Sequence, residues 1–136
     1  MSALYRGFCV AVFVCICTSA AAQSDGGTEV PRGLWQGAAD AQGISFHVRT
    51  RRCGRALCGR VERVKNRRGF DAPSNAVGQK VLWDLKPQAG GSFVGEYRDS
   101  GGRSWGDTRV SLQGNKLRLR ICDDTQCREE NWKRLR

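Results

Sequence analysis

From residue 33 to the C-terminus, apolar and polar side chains alternate with a period of two. Leu117, Leu119 and Ile121 are separated by Arg118 and Arg120, and Ile44, Phe46 and Val48 by Ser45 and His47. Such alternation predicts strands with one face on a core and the other in water. The predicted strands cover residues 33–37, 44–49, 58–64, 79–85, 92–97, 105–112, 117–121 and 128–135. Between them lie turn signals, among them Asp40-Ala41-Gln42-Gly43, Gln88-Ala89-Gly90-Gly91, Asp99-Ser100-Gly101-Gly102 and Gln113-Gly114-Asn115. The alternation degrades through Thr50-Arg51-Arg52, where a bulge or strong twist is expected. Residues 65–78, with Asn66, Gly69, Pro73, Asn75 and Gly78, read as the one long loop. No segment carries a sustained helical period. Eight short strands at roughly ten-residue spacing predict an all-β, antiparallel up-and-down barrel. A barrel of that size is filled by side chains or holds one small ligand.

Cysteine placement sharpens this picture. Cys53 and Cys58 bracket four residues, and so do Cys122 and Cys127. Each pair is expected at a hairpin tip, joined across the turn by a structural disulfide. Four cysteines allow three pairings, and the two local ones fit the turns. Zinc held by the four cysteines is the competing use of these residues, but the spacing is wider than the usual zinc motif.

The other three cysteines, Cys9, Cys15 and Cys17, fall in an N-terminal stretch of different character. One basic residue, Arg6, precedes an apolar run over residues 8–17 and a small-residue end at Ala20-Ala21-Ala22. That is the form of a secretory signal peptide over residues 1–22, and the apolar run is too short for a membrane span. Neither Cys15 nor Cys17 follows a small residue, so lipidation is not expected. Residues 23–32 read as a flexible lead-in, and residues 33–136 as a single barrel domain. The expected location is periplasmic or secreted, where disulfides persist.

With 23 Lys and Arg against 13 Asp and Glu, the formal charge is +10, or +9 without Arg6. Such a balance favours anionic partners. Export argues against nucleic acid and leaves anionic envelope components, polymers or lipids.

Several stretches resemble an exported bacterial family catalogued as a domain of unknown function, number twenty-one forty-seven. They are Gly33-Leu34-Trp35, Cys53-Gly54 with Leu57-Cys58-Gly59-Arg60, Val77-Gly78-Gln79-Lys80-Val81-Leu82, Gly95-Glu96-Tyr97-Arg98-Asp99, Leu117-Arg118-Leu119-Arg120-Ile121-Cys122 and Trp132-Lys133-Arg134-Leu135. The resemblance implies a calycin barrel, similar to lipocalins and fatty-acid-binding proteins, with a lumen for a small apolar or amphipathic molecule. It also implies that Trp35 packs against Arg134 of the last strand as a barrel-closing pair. The loop over residues 65–78 is shorter than the family pattern.

Catalytic groupings are not apparent. His47 is the only histidine and lacks a triad or metal partner in the pattern. Adjacent carboxylates, Asp123 with Asp124 and Glu129 with Glu130, would point to opposite faces of a strand. No enzyme activity, metal or cofactor is therefore expected. Trp83, Tyr97 and Trp105 are the candidates for lining a ligand cavity. Lys65, Arg67 and Arg68 are the candidates for anion contact. The expected function is binding of a small amphipathic or apolar ligand. The alternative is a filled barrel whose basic surface docks on anionic polymers or lipids.

Overall fold

The structure is a computed structural model that describes residues 29–136. The expected signal peptide and most of the lead-in lie outside the described residues. Eight strands follow one another: β1 (Gly33–Gln36), β2 (Ser45–Cys53), β3 (Ala56–Lys65), β4 (Lys80–Pro87), β5 (Ser92–Arg98), β6 (Ser104–Gln113), β7 (Lys116–Cys122) and β8 (Cys127–Arg134). Each pairs antiparallel with the next, and β1 pairs with β8, closing the barrel. Closure removes both sheet edges, so every strand finds backbone partners on two sides. No helix among the described residues is long and apolar enough to cross a membrane.

An up-and-down order sends alternate turns to opposite ends. One end carries the tight β2–β3, β4–β5 and β6–β7 turns together with both ends of the described chain. The other carries the β1–β2 loop, the long β3–β4 loop and the β5–β6 and β7–β8 turns. We call the second end the mouth.

The closed end is locked by β1. Trp35 is fully buried, and its indole N–H donates to Thr50 Oγ1 at 2.8 Å. The Thr50 hydroxyl donates in turn to the Pro31 carbonyl at 2.6 Å. The Arg134 guanidinium carbon lies 4.2 Å from the Trp35 ring centroid, and the same side chain donates to the Arg32 carbonyl at 2.9 Å. Gly33 has φ 149°, and a Cβ there would fall 2.7 Å from the Arg136 carbonyl oxygen, so only glycine fits beneath this pair. The lead-in was expected to be flexible up to residue 32. Instead Val30 joins the core, because the closed end offers it an apolar floor.

Two features differ from the sequence reading. The irregularity in the β2–β3 pairing falls at His47 and Val48, where Glu62 of β3 is the extra residue, rather than at residues 50–52, where pairing runs regularly to Cys53. The shift at Glu62 lets Val61 and Val64 of β3 both be buried, while Val48 and Thr50 of β2 keep their regular inward alternation. The first staple is also not between opposed residues. The β2–β3 loop is only Gly54-Arg55, with Gly54 at φ 64°, so Cys53 pairs with Ala56 and Cys58 with Arg51. The Cys53–Cys58 disulfide runs diagonally on the outer face at a Cα separation of 6.0 Å. Cys122 and Cys127, by contrast, are directly opposed at 4.1 Å across a four-residue turn. The expected long loop lies between Lys65 and Lys80 and is tied to the sheet. Asp71 bridges back to Lys65, Ala72 N–H donates to the Val64 carbonyl, and Gly78 N–H donates to that of Val61, so the loop runs back along β3.

The lumen is packed with side chains. Trp35, Val48, Leu57, Leu82, Leu85, Val110, Leu117, Leu119 and Ile121 are 0 % exposed, which leaves no water-sized space against them. Phe93 and Trp132 complete the filling.

Candidate binding site at the barrel mouth

The core ends toward the mouth in aromatic rings rather than aliphatic chains. Tyr97 at the end of β5 pairs with Trp105 at the start of β6. Both are nearly buried, and Tyr97 meets Trp132 edge to face with ring centroids 6.1 Å apart. Burial pushes the Tyr97 phenol well above its ordinary range, and the nearby Glu130 charge adds to this.

Two charged residues of β8 also face inward. Strand alternation places Arg128 and Glu130 on the same face as Trp132, opposite Ile121 and Leu119 of β7. Glu130 accepts a hydrogen bond from the Trp132 indole N–H at 2.9 Å and pairs with Arg128 at 3.1 Å. The Arg128 guanidinium carbon lies 4.9 Å from the Trp105 centroid and 5.9 Å from that of Tyr97. The charges are tolerable there because each is met by a partner or an aromatic face and remains in reach of water.

Above these residues is a cup of about 260 Å3. Tyr97, Arg128 and Glu130 form its floor and one wall. Asp99, Ser100 and Gly101 of the β5–β6 turn and Ala38, Ala39 and Asp40 of the β1–β2 loop form the rest. Asp99 is held by Trp105 Nε1 at 3.1 Å and by the Arg103 amide at 3.0 Å, and Asp40 by the amides of Gln42 and Ile44 at 2.9 Å. Three carboxylates against one guanidinium make the cup acidic, although the whole chain is basic.

The expected cavity-lining residues thus separate. Tyr97 lines the cup. Trp105 is 4 % exposed and packs behind it rather than lining it. Trp83 is not in the lumen. Its partner is Glu96, one step from the inward pair Leu82 and Tyr97, so its ring points out of the barrel. There the Arg98 guanidinium carbon lies 5.3 Å from its centroid.

The expected anion-contact residues lie at the mouth rim, and they also separate. Lys65 is paired with Asp71 at 2.7 Å and is largely covered. Arg67 packs over Gly43 of the β1–β2 loop, where a Cβ would meet its side chain at 2.9 Å. Arg68 is exposed. His47 is half-buried, and its imidazole is held below its ordinary pKa by burial and then by the Lys65 and Arg63 charges. Glu129 pairs with Arg118 on the outer face while Glu130 faces in, and Asp123 caps its turn by accepting from the Thr125 and Gln126 amides. Among the described residues, no cluster of His, Cys, Asp or Glu has the arrangement to hold a metal ion.

Arg128 and Glu130 were missed by the sequence reading. Their signal was available: they share a strand face with Trp132 in an otherwise polar segment.

No protein-family model matches the chain, and no curated protein sequence matches it. Among solved structures, a protein of the human pathogen Helicobacter pylori described as belonging to the lipocalin family superposes with a TM-score of 0.59. It shares 18 % sequence identity, over 79 % of this chain and 85 % of that one. The chain is thus a closed, eight-stranded antiparallel barrel of lipocalin-like fold carrying two disulfides.

Proposed function

We propose that this protein is an exported, non-enzymatic binding barrel that takes a small amphipathic ligand at its mouth rather than deep in its lumen. The observation that carries the proposal is the acidic, aromatic-floored cup above a filled core. Its apolar part, the Tyr97 ring, suits a ligand's hydrocarbon or ring portion. Its carboxylates, Asp40, Asp99 and Glu130, suit a donor-rich or cationic head, which Arg128 orients by repulsion. The lipocalin-like fold supports a ligand-binding role, and two disulfides are consistent with a periplasmic or extracellular location. The relation to the exported family named above is part of this reading.

Calorimetric titration with octylamine, octanoate and octanol tests it. Octylamine should bind, octanoate should bind at least tenfold more weakly, and Glu130→Leu should remove the preference. If none of the three binds, and protein purified from its own host carries no small molecule in native mass spectrometry, the cup is not a ligand site.

The packed lumen also favours a second reading, a solid barrel that docks on anionic polymers or lipids through exposed rim residues such as Arg68. Binding to anionic vesicles should then weaken steeply as salt rises. Binding that ignores salt would remove this reading.

A further inference from the structure

The outer wall over β2, β3 and β4 holds a groove of about 310 Å3 that the mouth does not share. Its charged residues are Arg51, Arg60, Lys80 and Asp84, its wall is Trp83, and its edge is the Cys53–Cys58 disulfide. We propose that this groove binds an anionic sugar, a carboxylated or phosphorylated saccharide unit of an envelope glycan. The inference rests on neither the mouth nor the rim.

Two local costs converge on this groove. Arg60 and Lys80 are direct cross-strand partners, and like charges so placed repel. Among the described residues, no carboxylate lies within 4.0 Å of Arg51, Arg60 or Lys80. An anion between them would turn repulsion into attraction. The second cost is Asp84, the one non-glycine residue with positive φ among those described, at 52°. It forms the β4 bulge that shifts the register between Trp83 and Lys86. The bulge is accommodated by Gly95 of β5, where a Cβ would overlap the Asp84 carbonyl. It leaves Trp83 outside and Leu85 inside the barrel. The bulge serves the core by turning Leu85 inward, and it also leaves Trp83 and Asp84 on the groove beside cations that have no countercharge, an arrangement expected at binding sites.

The chemistry selects a sugar. Trp83 is half-buried with Arg98 over its ring, so the indole is held as a fixed wall against which sugar C–H groups can stack. Three cations against one carboxylate require an anionic group on the ligand. The volume is at the small end for ligand sites and admits a short saccharide. The exposed large apolar residues, Phe70, Val77 and Leu112, do not line the groove. Two disulfides are consistent with a location outside the cytoplasm, where nucleic acid is scarce.

Tryptophan fluorescence tests the proposal, because Trp35, Trp105 and Trp132 are at most 4 % exposed and Trp83 is the accessible indole among those described. Trigalacturonate and glucose 6-phosphate should each be titrated against maltotriose, which is uncharged. At least one anionic sugar should give a saturable change, about tenfold tighter than maltotriose. Which of the two binds tells carboxylate from phosphate. Arg60→Gln/Lys80→Gln should weaken binding about tenfold, measured by calorimetry, as should Trp83→Leu. Lys116→Gln/Lys133→Gln, an equal loss of charge on the far wall, should change it less than about twofold. The proposal is overturned if neither anionic sugar binds, or if the groove and far-wall variants weaken binding equally. Tighter binding of single-stranded DNA or anionic vesicles than of either sugar would overturn it as well.

Discussion

The contact between Trp35 and Arg134 closes the barrel, and its energetic weight can be measured by a double-mutant cycle. Trp35→Leu removes a fully buried ring and its hydrogen bond to Thr50, at a cost of about 3–5 kcal/mol for a large aromatic in a core. Arg134→Met keeps the side-chain stem but removes the guanidinium. It loses a cation–π contact at 4.2 Å and one hydrogen bond to the Arg32 carbonyl, together about 1–2 kcal/mol. The Thr50 bond belongs to Trp35 alone and the Arg32 bond to Arg134 alone. Only the cation–π contact is shared, so the coupling energy should be about 1 kcal/mol, tempered by the partial exposure of Arg134. The double variant should therefore be about 1 kcal/mol less destabilised than the sum of the singles. Urea unfolding followed by far-ultraviolet circular dichroism, with disulfides intact and the denaturant slope unchanged, gives the four values. A coupling below about 0.3 kcal/mol would refute the role assigned to the ring–guanidinium contact and leave closure to the β1–β8 backbone bonds.

Tyr97 and Tyr5 are the only tyrosines, so a chain beginning after Ala22 reports Tyr97 alone in an absorbance titration at alkaline pH. Its midpoint should lie well above the usual value of about 10, because burial disfavours the phenolate. The folded pKa is raised, so its contribution to stability is complete below the unfolded value and declines above about pH 10; a midpoint at about 10 would mean that the cup floor is open to water. Gly95→Ala should destabilise by about 1–3 kcal/mol in denaturant unfolding, since its Cβ would overlap the Asp84 backbone; a silent substitution would show that the β4 bulge can shift. Removing either disulfide as a Cys→Ser pair should cost about 2 kcal/mol. The two staples sit at opposite ends of the barrel, so removing both should cost about 4 kcal/mol, and a clearly non-additive loss would indicate coupling between the ends.

Much of this architecture is local and therefore visible in the chain itself. Leu117, Leu119 and Ile121 alternate with arginines, so their strand could bury only one face, and the same holds for most of the others. Eight such strands separated by short turns have few ways to hide their edges, and closure is the most complete. The cysteine pairs mark two turns because five-residue separations bring sulfurs together only where the chain reverses.

What the chain alone left open depends on the sum of contributions from distant strands. Whether the lumen is hollow follows from the combined volume of side chains from all eight strands, and Trp35, Phe93, Trp132 and the leucines together fill it. The orientation of Trp83 was equally hidden. In the run Val81-Leu82-Trp83-Asp84-Leu85 nearly every residue is apolar, and the face each takes is set by a one-residue bulge that only the fit of Asp84 against Gly95 decides. Arg128 and Glu130 look like exterior residues until β8 pairs with β7 and Trp132 sets the inward face. Charges so far apart along the chain as Asp40, Asp99 and Glu130 become one acidic cup only when the barrel closes. Periodicity is a property of neighbours, whereas cavities, bulges and fields belong to the packed whole.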